Sequence, residues 1–324
     1  MASEILYLSR ADVEKVGLPM EEIIAAVEAV FREKGEGRVE MPAKIGIHPV
    51  GNDFLHAMPA YVAAARAAGI KWVSSFAQNP AKGLPTIGGL LILNDPETGL
   101  PLTVMDCTWV TAKRTGAASA VAARYLARAD VEYLTIVGCG AQGRSHLEAM
   151  LVQFPSIRRI SAYDQRPAAL ARYIQEMQEA HGIPVTAAAD CEAAVRDADI
   201  IVTATEIMKR PAPVIRPEWI KPGAFCMSID FDTQFTPEAV RAMDLFYTDD
   251  TAQMEYYRSL GYFASLPKVQ GDLGEVVAGK QPGRTSPRQR TLSMQLGLAI
   301  EDMVTGIRIF ERARARGIGM QLLL

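Results

Sequence analysis

The chain has few of the residues that bind metals. It has four cysteines and four histidines in 324 residues. Cys107, Cys139, Cys191 and Cys226 are too far apart in sequence for a metal pattern, and His48, His56, His146 and His181 show no ligand spacing. No metal site is therefore expected. Scattered single cysteines fit a reducing cytoplasm. Long apolar runs are also missing: none reaches the ~20 residues that cross a bilayer. The opening segment, MASEILYLSRADVEK, has no basic stretch followed by an apolar one, so no signal peptide is expected. An excess of one charge is lacking too. A net charge of −3 points to neither nucleic acid nor an anionic membrane as partner. What remains is ordinary globular composition, 49% apolar and 22% charged, enough for one large domain or two ordinary ones.

The hydrophobic pattern changes character along the chain. Ile5 to Leu8 reads as a strand, and Ser9 with Asp12 as a capping box opening a short helix. Pro19 to Lys34 reads as a helix with Ile23, Ile24, Val27, Val30 and Phe31 on one face. From Lys44 to Asp106, short apolar stretches alternate with turn signals such as Gly51-Asn52 and Asp95-Pro96, which predicts a mostly antiparallel sheet. An alanine-rich helix follows. After Asp130, strands alternate with helices, and ADIIVTAT, AFCMSID and DLFYTD read as further strands. That rhythm predicts a parallel, doubly wound sheet. The segment from about Ser286 to Arg316 reads as one long amphipathic helix.

Gly138-Cys139-Gly140-Ala141-Gln142-Gly143 matches G-x-G-x-x-G, directly after the apolar strand Leu134 to Val137 and at the start of a helix. In that setting the first glycine permits the tight turn, the second lets backbone N–H groups approach a pyrophosphate, and the third lets helix and strand pack closely. The helix N-terminus adds partial positive charge. Asp164 ends the second strand, 21 positions after Gly143, where a carboxylate accepts bonds from the adenosine ribose hydroxyls. Arg166 beside it suits a 2′-phosphate, but the carboxylate repels a second anion, so NAD is expected over NADP. Thr205 lies where the sheet edge meets the nicotinamide, or is simply a polar strand end.

Further motifs recur in a fixed order. They are MPAY (Met58 to Tyr61), GIK (Gly69 to Lys71), GLPTIGG (Gly83 to Gly89) and TAKRTGAASA (Thr111 to Ala120), then VGCGAQG, GEVVAGK with PGR (Gly274 to Arg284) and GLAIED (Gly297 to Asp302). On these motifs, and over nearly its whole length, the chain resembles the ornithine cyclodeaminase/mu-crystallin family. That family also contains archaeal-type alanine dehydrogenases and ketimine reductases. The resemblance implies an α/β fold: a Rossmann-type doubly wound parallel sheet (116–299) plus an N-terminal α+β substrate-binding and dimerisation domain (1–115 and 300–324). It implies a homodimer joined through the N-terminal domains, an active site between the two domains, and NAD(P)-dependent hydride transfer at the carbon bearing the amino group. By the same resemblance, Lys71 matches the catalytic lysine and Arg114 the carboxylate-binding arginine. Thr115 matches a cofactor-contacting threonine and Asp232 the catalytic aspartate. Lys44 stands where the family often has a carboxylate-binding arginine.

The chemistry asks for these residue types. A planar guanidinium such as Arg114's holds a carboxylate with two parallel bonds. A desolvated lysine such as Lys71 can lose its proton near neutral pH. Asp232 can activate water or an amine at an iminium carbon; Asp230, two residues away, would share its strand face and is the alternative. Three positions depart from the family. His56 replaces the glutamate that receives a distal ammonium in the ornithine-converting enzymes, Asp230 replaces a glycine, and Gln295 replaces a serine. These departures favour an amino-acid dehydrogenase or imine reductase over an ornithine cyclodeaminase. A non-catalytic, crystallin-like nucleotide-binding protein is the alternative of another class. The substrate side chain and the physiological direction are left open.

Overall fold

A computed structural model describes residues 4–324. It divides into two compact units, one running to Arg114 and resuming at Leu298–Leu324, the other Thr115–Gly297.

The first unit contributes strands β1 (Glu4–Leu8), β2 (Val39–Glu40), β3 (Ile45–Ile47), β4 (Phe54–Val62), β5 (Ala67–Ser75), β6 (Ile87–Asn94) and β7 (Pro101–Asp106). Helices α1 (Arg10–Val16) and α2 (Met20–Gly35) follow β1. The Ser9–Asp12 capping box is formed, and α2 buries the face that its periodicity predicts. The unit boundary falls inside α3 (Thr108–Leu126).

The second unit alternates strands and helices: β8 (Tyr133–Val137), α4 (Ala141–Gln153), β9 (Arg159–Tyr163), α5 (Pro167–His181), β10 (Val185–Ala187), α6 (Cys191–Val195) and β11 (Ile200–Thr203). It continues through β12 (Phe225–Ser228), α7 (Pro237–Arg241), β13 (Leu245–Thr248), α8 (Thr251–Ser259), β14 (Gly271–Asp272), α9 (Leu273–Val277) and β15 (Thr291–Met294). The chain then returns to the first unit with α10 (Ala299–Ala315) and β16 (Met320–Leu323).

The second unit's sheet has the order β10-β9-β8-β11-β12-β15-β13-β14, and all its pairings are parallel. The order reverses beside β8, so the loop after β8 opens at the switch point where ligands bind in such sheets. One expectation fails here. The long helix read from Ser286 to Arg316 is two elements. Thr291–Met294 is a strand buried between β12 and β13, and the helix begins only at Ala299. TLSM has no helical or alternating pattern of its own, and pairing with two distant strands decides its conformation.

The first unit's sheet runs β16-β1-β7-β6-β5-β4-β2, with β3 on β4. It is mixed, because β1 pairs parallel to β7. On one face α10 lies against β4, β5, β6 and α2, and α1 against β7. Only the opposite face is open. There Tyr7, Tyr61, Trp72, Leu90, Met320 and Leu322 are 37–61% exposed, an unusually apolar outer surface.

Candidate active site

In the second unit, the glycine loop has the geometry that each glycine requires. Gly138 has φ 104°, and a Cβ there would lie 2.5 Å from Ala204 O. A Cβ on Gly143 would lie 2.3 Å from Gly138 O, so α4 packs against the loop only because this side chain is absent. At Gly140 a Cβ would meet nothing within 4 Å, so the backbone faces open space. Ala141 and Gln142 begin α4 immediately after it, with their amides at the positive end of the helix. Arg144 supports the loop from beneath, donating to Cys139 O at 2.7 Å and Gly140 O at 3.0 Å.

Asp164 closes the loop from the end of β9. Its Oδ2 accepts the Cys139 amide at 2.9 Å, and Oδ1 accepts the Arg166 amide at 2.9 Å and Nε at 3.2 Å. Burial alone raises this carboxyl's pKa, but those hydrogen bonds and the Arg166 charge outweigh it and hold the group below its ordinary value. Asp164 is therefore ionised at neutral pH, at the end of β9 beside the loop. Thr205 lies two residues past the end of β11, and its amide and hydroxyl both donate to Asp230 Oδ2, at 3.0 and 2.5 Å.

The two neighbouring aspartates differ sharply. Asp230 is fully buried and also accepts from Thr203 Oγ1 at 2.5 Å and Ser228 Oγ at 3.0 Å. Both of its oxygens are thus engaged within the protein. Asp232 Oδ2 accepts from the Phe263 amide at 3.1 Å, and the buried Oδ1 has no hydrogen-bond partner from another residue among those described. Burial raises its pKa, against the opposing bonds from its own amide and that of Phe263. The expected shared strand face does not exist. β12 ends at Ser228, and Phe231, with φ 61°, turns the chain between the two aspartates.

In the first unit, Lys71 points from β5 toward the helices, opposite Met58 on β4 and Leu91 on β6. It is completely buried. Its Nζ lies 2.7 Å from Asp302 Oδ2, in a fully buried ion pair. Arg114 Nε donates to Asp302 Oδ1 at 2.9 Å, and Nη1 to Glu301 Oε2 at 2.7 Å. Two cations and two anions thus share one water-poor cluster. Desolvation and then the Arg114 charge lower the Lys71 pKa, and Asp302 opposes them. The acids reach the sheet because α10 packs closely on it: a Cβ on Gly306, one turn beyond Asp302, would lie 2.4 Å from Leu91 Cδ2.

Residues 4–317 match the ornithine cyclodeaminase/mu-crystallin family. The chain belongs to this family. The nodulation efficiency protein NfeD of Rhizobium meliloti is 35% identical to it over 98% of both chains. Among solved structures, Thermococcus litoralis Delta(1)-pyrroline-2-carboxylate reductase in complex with NADH and L-proline superposes with a TM-score of 0.89. It is 33% identical, covering 98% of this chain and 99% of that one. An archaeal alanine dehydrogenase dimer with bound NAD gives a TM-score of 0.87 at 34% identity over 99% of each chain. The α/β architecture, a parallel Rossmann-like sheet with a mixed N-terminal sheet, is that of the family.

Within this family member, Lys44 and His56 are both buried in the first unit. The His56 ring stacks on Phe54 with centroids 3.9 Å apart. Burial, reinforced by Lys44, His48 and Lys71, lowers its pKa to about 3, so the imidazole is neutral at physiological pH. Thr115 is buried one residue beyond Arg114. Gln295, at the third departure, is buried and ties α3 to β15. It accepts from Ser119 Oγ at 3.1 Å and donates to Ala118 O at 3.1 Å. Sequence reading missed Glu301 and Asp302. Their signal was present: two adjacent acids in GLAIED at the start of a helix that otherwise carries a buried face. Acids at that place are ordinarily read as exposed partners of the helix dipole.

Proposed function

We propose that this protein is an NAD(H)-dependent enzyme acting on the alpha C–N bond of a small amino or imino acid, as an amino-acid dehydrogenase or imine reductase. The observation that carries the reading is Lys71: a fully buried lysine held between Asp302 and Arg114, with its pKa lowered. A buried charge is costly, and such perturbed groups concentrate at functional sites. The residues at Gly138 to Gly143 and Asp164 fit a dinucleotide, because the loop backbone at Gly140 is open and an ionised carboxylate closes it. NAD, when bound there, accepts or returns the hydride.

The chain's own residues do the rest. Arg114 supplies the positive charge that draws the substrate carboxylate, and Lys44 adds to it. Lys71, when neutral, takes a proton from the substrate ammonium, so the nitrogen lone pair can assist hydride departure. Asp232, through Oδ1, activates the water or amine that meets the iminium carbon. His56 is neutral and carries no negative charge to pair with a distal ammonium, unlike a glutamate at that position. This argues against ornithine as substrate. The testing experiment offers NADH with 2-oxo acids plus ammonia or amines, and with cyclic imines. Reduced-cofactor absorbance should fall in step with product. A diamino acid consumed without any net absorbance change would replace this reading with a cyclodeaminase.

Cofactor choice follows from Asp164. Its carboxylate repels a 2′-phosphate, so kcat/KM with NADH should exceed that with NADPH by about tenfold or more, roughly 1.4 kcal/mol. Asp164→Ser should narrow the ratio. A preference for NADPH in the wild type would give Arg166 the leading role instead.

The open apolar face of the first unit suits a second copy of the chain, as in the archaeal alanine dehydrogenase dimer. Sedimentation at micromolar concentration should give a dimer, and Trp72→Glu with Leu90→Glu should give monomers. A wild-type monomer would overturn this.

A further inference from the structure

Among the described residues, four non-glycine positions have left-handed backbone: Arg66, Asp197, Phe231 and Phe263. Arg66 and Asp197 are exposed turn residues, where such backbone is unremarkable. The other two are buried aromatic residues with φ of 61° and 57°. A bulky side chain rarely adopts this conformation, because it costs free energy that the surroundings must offset. Both strained residues converge on one carboxylate. Phe231 immediately precedes Asp232, and Phe263 donates its amide to Asp232 Oδ2.

The surroundings hold both in place. Ser228 Oγ shares its one proton between Phe231 O at 2.5 Å and Asp230 Oδ1 at 3.0 Å, and Asp230, held also by Thr203 and Thr205, clamps the chain just before it. The Phe231 ring packs on Phe263, Tyr257 and Tyr262 with centroids 5.1, 5.4 and 5.7 Å away. Arg258 on α8 donates to Phe263 O at 2.6 Å. An extended residue at 231 would continue the strand and carry Asp232 onto another course. The left-handed turn aims it instead toward the Phe263 amide.

We propose that Phe231 and Phe263 are positioning residues for Asp232: their strained backbone and interlocked rings aim its carboxylate and keep Oδ1 clear of protein donors. This rests on the reading of Asp232 as the carboxylate that acts on substrate. The rings also exclude water from it. The charged and titratable groups facing Asp232 are Asp230, Arg258 and Tyr262.

The test compares Phe231→Gly, Phe263→Gly, Phe231→Leu and Asp232→Asn. Each is assayed with NADH and either pyruvate plus ammonia or Δ1-pyrroline-2-carboxylate, and melting curves confirm folding. Glycine removes both strain and ring, while at 263 it keeps the amide donor. Each glycine variant should lower kcat by about 30-fold and leave the NADH KM within about twofold. Phe231→Leu, which restores apolar bulk, should recover most of the loss. Water entry should also lower the Asp232 pKa, moving the acidic limb of kcat to lower pH. Carbon-13 NMR titration of the Asp232 carboxyl, assigned with Asp232→Asn, reads the same shift without turnover. Folded glycine variants with unchanged kcat and unchanged titration, beside an inactive Asp232→Asn, overturn the positioning role alone. A fully active Asp232→Asn overturns the Asp232 reading, and the positioning role with it.

Discussion

Lys71→Ala should abolish measurable turnover of every substrate while NADH still binds with near wild-type affinity. The lysine is in the first unit and the glycine loop in the second. A positioned proton-transfer group ordinarily contributes ~10²–10⁴ in rate. Here the amine is also kept ready by its surroundings. Burial and Arg114 favour its neutral form, and Asp302 keeps that preference from becoming absolute. In the oxidative direction kcat should therefore rise with pH as Lys71 loses its proton, at a pH below the ordinary lysine range, and then level off. Lys71→Met, which preserves most of the buried volume, separates chemistry from packing: it should melt close to wild type and be equally inactive. Stopped-flow or equilibrium fluorescence with NADH measures the cofactor side. Retention of more than about a tenth of wild-type kcat in Lys71→Met would remove Lys71 from the chemistry.

Asp302→Ala should be the most destabilising single change in the site. It leaves Lys71 and Arg114 as two buried cations with Glu301 as the remaining acid of the cluster. Breaking a buried ion pair by removing one partner costs about 3–5 kcal/mol, because the other charge stays buried without compensation. The protein has an escape: Lys71 can give up its proton. With Asp302 gone, the influence that raises the Lys71 pKa is lost, while burial and Arg114 still lower it. Lys71 should then be neutral over a wider pH range. The sign for stability follows. Lys71 binds fewer protons folded than unfolded between its lowered pKa and its ordinary one, so the variant's stability should rise with pH through that window. Chemical denaturation at several pH values measures both effects. Wild-type stability with the same pH dependence would show that Asp302 is not the counter-charge of the cluster.

Whatever depends on local chemistry could be read directly from the chain. The glycine loop is one case: its three glycines, the apolar strand before it and the helix after it are contiguous, and each requirement is met within a few residues. The Ser9–Asp12 capping box and the buried face of α2 are others, since neighbours three and four positions apart form them. The resemblance in ordered motifs pointed to Lys71, Arg114 and Asp232 as residues of interest. Their environments were not legible. The acids that meet Arg114 come from 187 and 188 positions along the chain, on a helix admitted by the missing side chain of Gly306. Strand β15 was read as helix because its four residues carry no period, and only two distant neighbours make them a strand. The choice between Asp230 and Asp232 likewise could not be made from their order in DFD. Burial and donor supply distinguish the two carboxylates, and the donors come from Thr203, Thr205, Ser228 and Phe263, which the fold brings together. A sequence sets residue types and local geometry. Desolvation and charge pairing, which tune a lysine or a carboxylate for chemistry, arise only when remote segments close around it.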